Sequence, residues 1–331
     1  MSSSISSSRS VWRRFAGTFL AASTIVLTAL VGLAYAVDPY DTGRSALFAK
    51  PGVRPQGPRT GAASRGRDSS FEAAVVGNSH VQLLSPQRLR TKTGLSFVQL
   101  SVPGTGPKEH LVLVDWFLRH RPAARALVLG ADATWCTGDP ALAGERPFPF
   151  WLYSANPLSY AGGLMRLDVL EELPRRLGYV FGSGAERARP DGYWDYEAEH
   201  PDLARGTLRA GPDGRPGEGA PSNATGRFPG AEALRDLAAT LPGALALIVV
   251  FPPNYVAFQP APGTPGAAAD LACKAALRAA VASRARASVI DWRVDRPENR
   301  DPALYFDQTH YRHPIAERVE NDIAAALRRK P

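Results

Sequence analysis

Cysteine is almost missing from this sequence. Cys136 and Cys273 are the only two in 331 residues, too few for a disulfide-dense scaffold and, without clustered histidines, unsuited to a zinc site. They either pair in an oxidising compartment or stay buried as thiols. Also missing is any basic stretch interleaved with aromatics, which argues against nucleic acid as a partner. The formal net charge of +8 shrinks once Arg9, Arg13 and Arg14 are set aside as flanking charges, leaving 36 basic against 31 acidic residues beyond them. No internal repeat is evident. His310 and His313 have a spacing seen at metal sites, but no acidic or cysteine partner sits near them in the chain, so no metal is expected.

What the chain does have is an ordinary globular composition, 44% apolar and 21% charged, with one long uncharged run. Residues 15 to 37, FAGTFLAASTIVLTALVGLAYAV, reach about 34 Å as a helix, enough for a hydrocarbon core of roughly 30 Å. Three arginines before the run, with Asp38 and Asp41 after it, orient the N-terminus inward. Ala34-Tyr35-Ala36 fits a signal-peptidase site, yet the run exceeds the usual signal core of about 7–15 residues, which favours an uncleaved anchor. Either way the remainder lies outside the cytoplasm.

The expected organisation is a basic cytoplasmic segment at 1–14, a transmembrane anchor or signal peptide at 15–37, a tether at 38–70 and a domain at 71–331. Gly, Pro, Arg and Ser dominate the tether from residue 42. Strand-like runs fall at 72–77, 96–100, 125–130, 244–251 and 287–291. Helix-like runs fall at 85–92, 107–119, 230–240, 266–285 and 314–329. Strands this apolar, separated by helices, predict a parallel sheet covered on both faces. The alternation lapses at 135–228, an aromatic-rich insertion whose later half, 201–229, reads as a long loop. Asn223-Ala224-Thr225 is a glycosylation sequon by pattern alone.

Ligands of an open parallel sheet bind at the carboxyl ends of its strands. Ser79, in GNSH, follows the first strand; Gly104 and Gly106, in VPGTG, follow the second; Asp132, in LGAD, follows the third; Asn254 and Tyr255 follow the fourth. Asp307 and His310, in DQTH, lie just before the final helix. Serine, histidine and aspartate are the nucleophile, base and orienting group of acyl transfer. Plainer readings stand beside this one: Ser79 as a helix cap, His310 as a surface residue, His80 as a neighbour with no role of its own, and the aromatic insertion as a packed cap.

These motifs resemble the SGNH (GDSL-like) hydrolases over about residues 72–134 and 240–329. GNSH is similar to the family's first block with Asn78 in place of aspartate, VPGTG to its glycine block, and DQTH to its D-x-x-H. The resemblance implies a three-layer α/β/α, flavodoxin-like sandwich with a parallel sheet behind an N-terminal transmembrane helix. It implies Ser79 as nucleophile, His310 as base, Asp307 as its orienting partner, and Ser79 and Gly104 backbone amides as oxyanion donors. The family's third oxyanion donor is an asparagine, where this chain has Asp132; a carboxylate repels an oxyanion, so either Asp132 points away, or it is protonated, or the site is weak or dead, and Asp132→Asn is expected to raise activity if position 132 faces the oxyanion. Asn254, Trp151 and Tyr153 are substrate-binding candidates. No cofactor is expected.

The membrane-tethered form resembles periplasmic O-acetyltransferases of exopolysaccharide systems. It implies acetyl transfer or ester hydrolysis at the outer face of a bacterial inner membrane, with a carbohydrate or acyl-ester substrate and a membrane acyl-donor partner. The alternative is a catalytically inactive envelope protein of the same fold that binds polysaccharide or a protein partner.

Overall fold

A computed structural model describes residues 5–142, 144, 146–199, 223 and 226–329. The sequon residues Ala224 and Thr225, and most of the loop expected at 201–229, lie outside the described residues. The elements run α1 (Ile5–Val37), α2 (Pro58–Gly66), β1 (Ala73–Gly77), α3 (Pro86–Thr93), β2 (Phe97–Ser101), α4 (Pro107–His120) and β3 (Ala126–Gly130). The insertion holds α5 (Phe150–Tyr153), α6 (Pro157–Leu164), α7 (Leu167–Phe181) and α8 (Tyr196–Glu199). The chain then continues with α9 (Pro229–Thr240), β4 (Ala246–Phe251), α10 (Pro265–Val281), β5 (Ala287–Asp291) and α11 (His313–Arg328). The chain divides into two compact units, residues 1–54 with 151–187, and residues 55–150 with 188–331.

The larger unit is an α/β fold. Its five strands form one all-parallel sheet in the order β2-β1-β3-β4-β5, the flavodoxin-like order. The short strands are apolar at nearly every position because both faces are covered. Successive residues point to opposite faces. On one face Ala73, Val75, Phe97, Val128, Ile248 and Val250 join Leu89 of α3 and Ile315, Val319 and Ile323 of α11 in a single core. On the other, α2 covers β2 and α4 covers β1: Trp116 donates its indole N–H to the Ala63 carbonyl at 3.0 Å, and Gly66 of α2 faces Trp116 and Leu100.

The expected tether is divided between the units and is folded in both. Residues 58–66 form α2, with Ala62, Ala63 and Ser64 buried. In the smaller unit Tyr40 is buried and stacks edge-on against Trp151, with centroids 5.9 Å apart. Composition could not anticipate this, because small residues that look linker-like also permit close helix packing, as Gly66 does under Trp116.

Within that smaller unit α1 is long and apolar enough to cross a membrane. Phe15, Phe19, Leu20, Ile25 and Val26 stand exposed along it, whereas Ala34 and Val37 at its end are buried. There Tyr35 meets Tyr160 of α6, and the Arg44 guanidinium lies 4.1 Å over the Tyr160 ring. Buried Arg176 of α7 pairs with Asp41 at 3.1 Å.

Candidate active site

Strand β1 ends at Gly77, and the chain turns at once. Asn78 is extended and caps a single 3-10 turn, Ser79–Val81, by accepting the His80 amide on Oδ1 at 3.1 Å. Val81 then folds back over the sheet, where a Cβ on Gly77 would meet its Cγ2 at 2.5 Å and one on Gly130 its Cγ1 at 2.7 Å. Only glycine at both strand ends leaves room for that turn. Helix α3 has its own cap in Ser85, whose Oγ accepts the Arg88 amide at 3.3 Å. Neither cap uses the Ser79 hydroxyl, so helix capping does not account for it.

Its partner comes from the far end of the chain. Residues 305–311 form a tight hairpin, closed by an antiparallel bridge between Tyr305 and Tyr311 and by the Phe306 amide on the His310 carbonyl at 2.8 Å. Inside it Asp307 Oδ1 accepts the Thr309 and His310 amides, both at 2.8 Å. His310 Nδ1 lies 2.9 and 2.8 Å from the two carboxylate oxygens, and His310 Nε2 lies 2.9 Å from Ser79 Oγ. Burial pushes the Asp307 carboxyl up, but hydrogen bonds from His310 and the two amides outweigh it and hold it at about 2. An ionised Asp307 keeps the proton on Nδ1, which leaves Nε2 free to accept from the serine hydroxyl.

The helices that follow Ser79 and His310 are locked together. Fully buried Glu320 of α11 accepts the Ser85 amide at 2.8 Å and the Arg88 guanidinium of α3 at 2.8 Å. The serine and histidine turns therefore share one rigid foundation.

The loop after β2 carries Gly104 at φ +66, a left-handed conformation that favours glycine. Val102 donates to the Gly77 carbonyl at 2.9 Å, and Asn78 Nδ2 to the Thr105 carbonyl at 3.3 Å, so this loop lies against the serine turn. Below it, fully buried His110 faces Thr105 Oγ1 through Nε2 and accepts the Trp135 indole N–H on Nδ1, both at 3.1 Å. Burial lowers its pKa to about 4, so the ring is neutral and serves as a brace. The sequence reading missed His110; an isolated histidine in an amphipathic helix carries no signal of its own.

At position 132 the structure differs from expectation. Asp132 is buried and forms hydrogen bonds with Asn78 Nδ2, the Thr134 amide and hydroxyl, and His80 Nδ1, the last at 2.8 Å. Burial pushes its carboxyl up, but His80 first, then Thr134 and Asn78, hold it well below the ordinary carboxylate range. As an ionised acceptor, Asp132 cannot donate to an oxyanion. His80, read from sequence as a bystander, is its hydrogen-bond partner, and its ring centroid lies 5.2 Å from that of His310.

Asn254 is buried beside the triad hairpin, where its neighbour Tyr255 donates its amide to the Gln308 carbonyl at 2.9 Å. Trp151 and Tyr153 belong to the smaller unit. Tyr153 is buried there, and Trp151 packs against Tyr40, Tyr160 and Gly163. Their aromatic surface is occupied by that packing.

The end of the insertion contributes instead. Tyr196 donates to the Tyr311 carbonyl at 2.7 Å and sets its ring edge-on to His310, centroids 5.9 Å apart. Glu197 accepts the His313 amide at 2.8 Å, and His313 Nε2 lies 3.0 Å from Asp195. The acidic partners His313 lacks in sequence are thus supplied in space. Among the described residues no group of three or more ligating side chains is arranged to hold a metal. A cleft lined by Phe71, Pro86, Phe97 and Arg189 opens at the amino ends of β1 and β2, the opposite end of the sheet from Ser79.

Cys136 and Cys273 form a disulfide with Cα atoms 5.5 Å apart. It ties the turn headed by Asp132 to α10. No protein-family model, curated protein or solved structure matches the chain, so the chemistry of the site is argued from its own geometry.

Proposed function

We propose that this protein carries out serine-dependent acyl-ester chemistry, as an O-acetyltransferase or acetyl esterase acting on a cell-envelope or exopolysaccharide substrate. The observation that carries the reading is the unbroken relay Asp307–His310–Ser79 at the carboxyl end of a parallel sheet. In the first step Ser79 Oγ attacks the acyl carbon while its proton passes to His310 Nε2. The tetrahedral intermediate collapses, the alcohol leaves with that proton, and an acyl-serine remains. An acceptor hydroxyl or water then gives its proton to His310 as its oxygen bonds the acyl carbon, and Ser79 departs, recovering the proton.

The SGNH resemblance supports this reading, with one exchange. The carboxylate and carboxamide the family carries in its first and third blocks have changed places as Asn78 and Asp132, which hydrogen-bond each other. A disulfide in the domain and an apolar N-terminal helix favour a site outside the cytoplasm, on the outer face of a bacterial inner membrane. A membrane protein donating the acyl group fits that placement. A second reading, an inactive fold that binds polysaccharide or a protein partner, draws on the ionised carboxylate at Asp132. A fluorophosphonate probe decides between them. Labelling of the wild type and not of Ser79→Ala is the expected result; an unlabelled wild type overturns the enzyme reading.

A further inference from the structure

The site contains two carboxylate–imidazole pairs, and the proposed mechanism uses one. Asp307 holds His310; Asp132 holds His80 in the same manner, carboxylate to Nδ1 at 2.8 Å. The Asp132 carboxylate is buried, and a buried carboxylate needs a compensating donor or cation. Its other partners, Asn78 and Thr134, are neutral. His80 alone among its hydrogen-bond partners is able to bring positive charge.

With Nδ1 occupied by Asp132, His80 has Nε2 left over, and no described residue engages it. The side chain keeps 20% of its surface exposed, and its ring stands 5.2 Å from the base that touches Ser79. Its backbone directly follows that of Ser79, whose amide is the expected oxyanion donor. The titratable groups around it are Asp132 from the loop after β3, His310 and Asp307 from the hairpin before α11, and the neutral, buried His110 from α4.

We infer that His80, held by Asp132, is a further catalytic residue: its protonated ring donates Nε2–H to the oxyanion of the tetrahedral intermediate. This rests on the serine reading above. The position that in the resembling family supplies an amide donor here carries a carboxylate, and the carboxylate holds an imidazolium that supplies the donor instead. No bond to His80 forms or breaks, and its proton remains on the ring.

The test uses the full chain in detergent, a small aryl acetate and the fluorophosphonate probe, with wild type, His80→Ala, His80→Gln and His80→Leu compared. His80→Ala is expected to lower kcat on the order of 10²-fold, the effect of losing one oxyanion donor, with KM nearly unchanged. His80→Gln should recover part of the rate through its amide N–H, a donor that alanine lacks. A merely structural His80 would not lower kcat alone, nor would an N–H donor at position 80 restore it. Unchanged kcat in a folded, labelled His80→Ala protein overturns the inference while leaving the serine reading intact. So does a His80→Gln protein no faster than His80→Leu, which also decides the matter if the alanine variant does not fold. A wild type that is neither labelled nor active overturns both.

Discussion

His310 Nε2 and Ser79 Oγ stand 2.9 Å apart although 231 positions separate them in the chain. Parallel strands in register set the distance from one side: Ser79 leaves the sheet where β1 ends. The hairpin of residues 305–311 sets it from the other, and the Glu320–Arg88 pair joins the helices behind both.

Asp307→Asn tests the relay without removing bulk. An amide does not hold the proton on Nδ1 as a carboxylate does, so the base is left in the wrong tautomer. Turnover is expected to fall by about 10³–10⁴-fold, measured on an aryl acetate, with the melting temperature recorded alongside to exclude unfolding.

The same carboxyl sets an acid limit. Because its folded pKa of about 2 lies below the ordinary carboxyl value of 3.8, the stability it contributes is fully present above that ordinary value. It is lost as pH falls through the folded pKa. Acid unfolding followed by circular dichroism should show this loss between about pH 4 and 2, and Asp307→Asn should lack it.

Asp132→Asn now carries the opposite sign from the rise expected if position 132 faced the oxyanion. The carboxylate faces His80, so an amide there releases the imidazole rather than adding an oxyanion donor. Activity on the aryl acetate should fall, by about tenfold for each 1.4 kcal/mol of lost transition-state stabilisation. A rise in activity would show that position 132 acts on the oxyanion directly.

Glu320→Ala should destabilise the domain more than any exposed ion-pair variant. It strands Arg88 and the Ser85 amide against a fully buried site, at a cost of about 3 kcal/mol. Denaturant unfolding measures it; a change under about 0.5 kcal/mol, typical of surface positions, would refute the account.

Reduction of Cys136–Cys273, or the paired serine variant, removes a cross-link between residues 137 positions apart. Chain-entropy reasoning puts the loss at up to about 5 kcal/mol, visible as a lower melting temperature. The esterase activity should weaken with it, since Cys136 ends the turn that Asp132 caps.

The sequence alone determined the strands and most of the helices around the sheet, within a few residues, and the residue types of the relay. Each such signal is local. Apolar runs such as ALALIVVF, the Ser85-Pro86 start of α3 and the DQTH spacing are all read from neighbours in the chain. Only the tertiary structure decided what Asp132 and His80 do. Val76 lies opposite Leu129 in the sheet, so the loops after Gly77 and Gly130 emerge side by side, and two side chains 52 positions apart become hydrogen-bond partners. The same holds for Tyr196 against His310, and for a supposed tether that packs as α2 under Trp116. Whether a carboxylate repels a charge or holds a cation depends on what stands beside it in space, and linear order does not contain that distance.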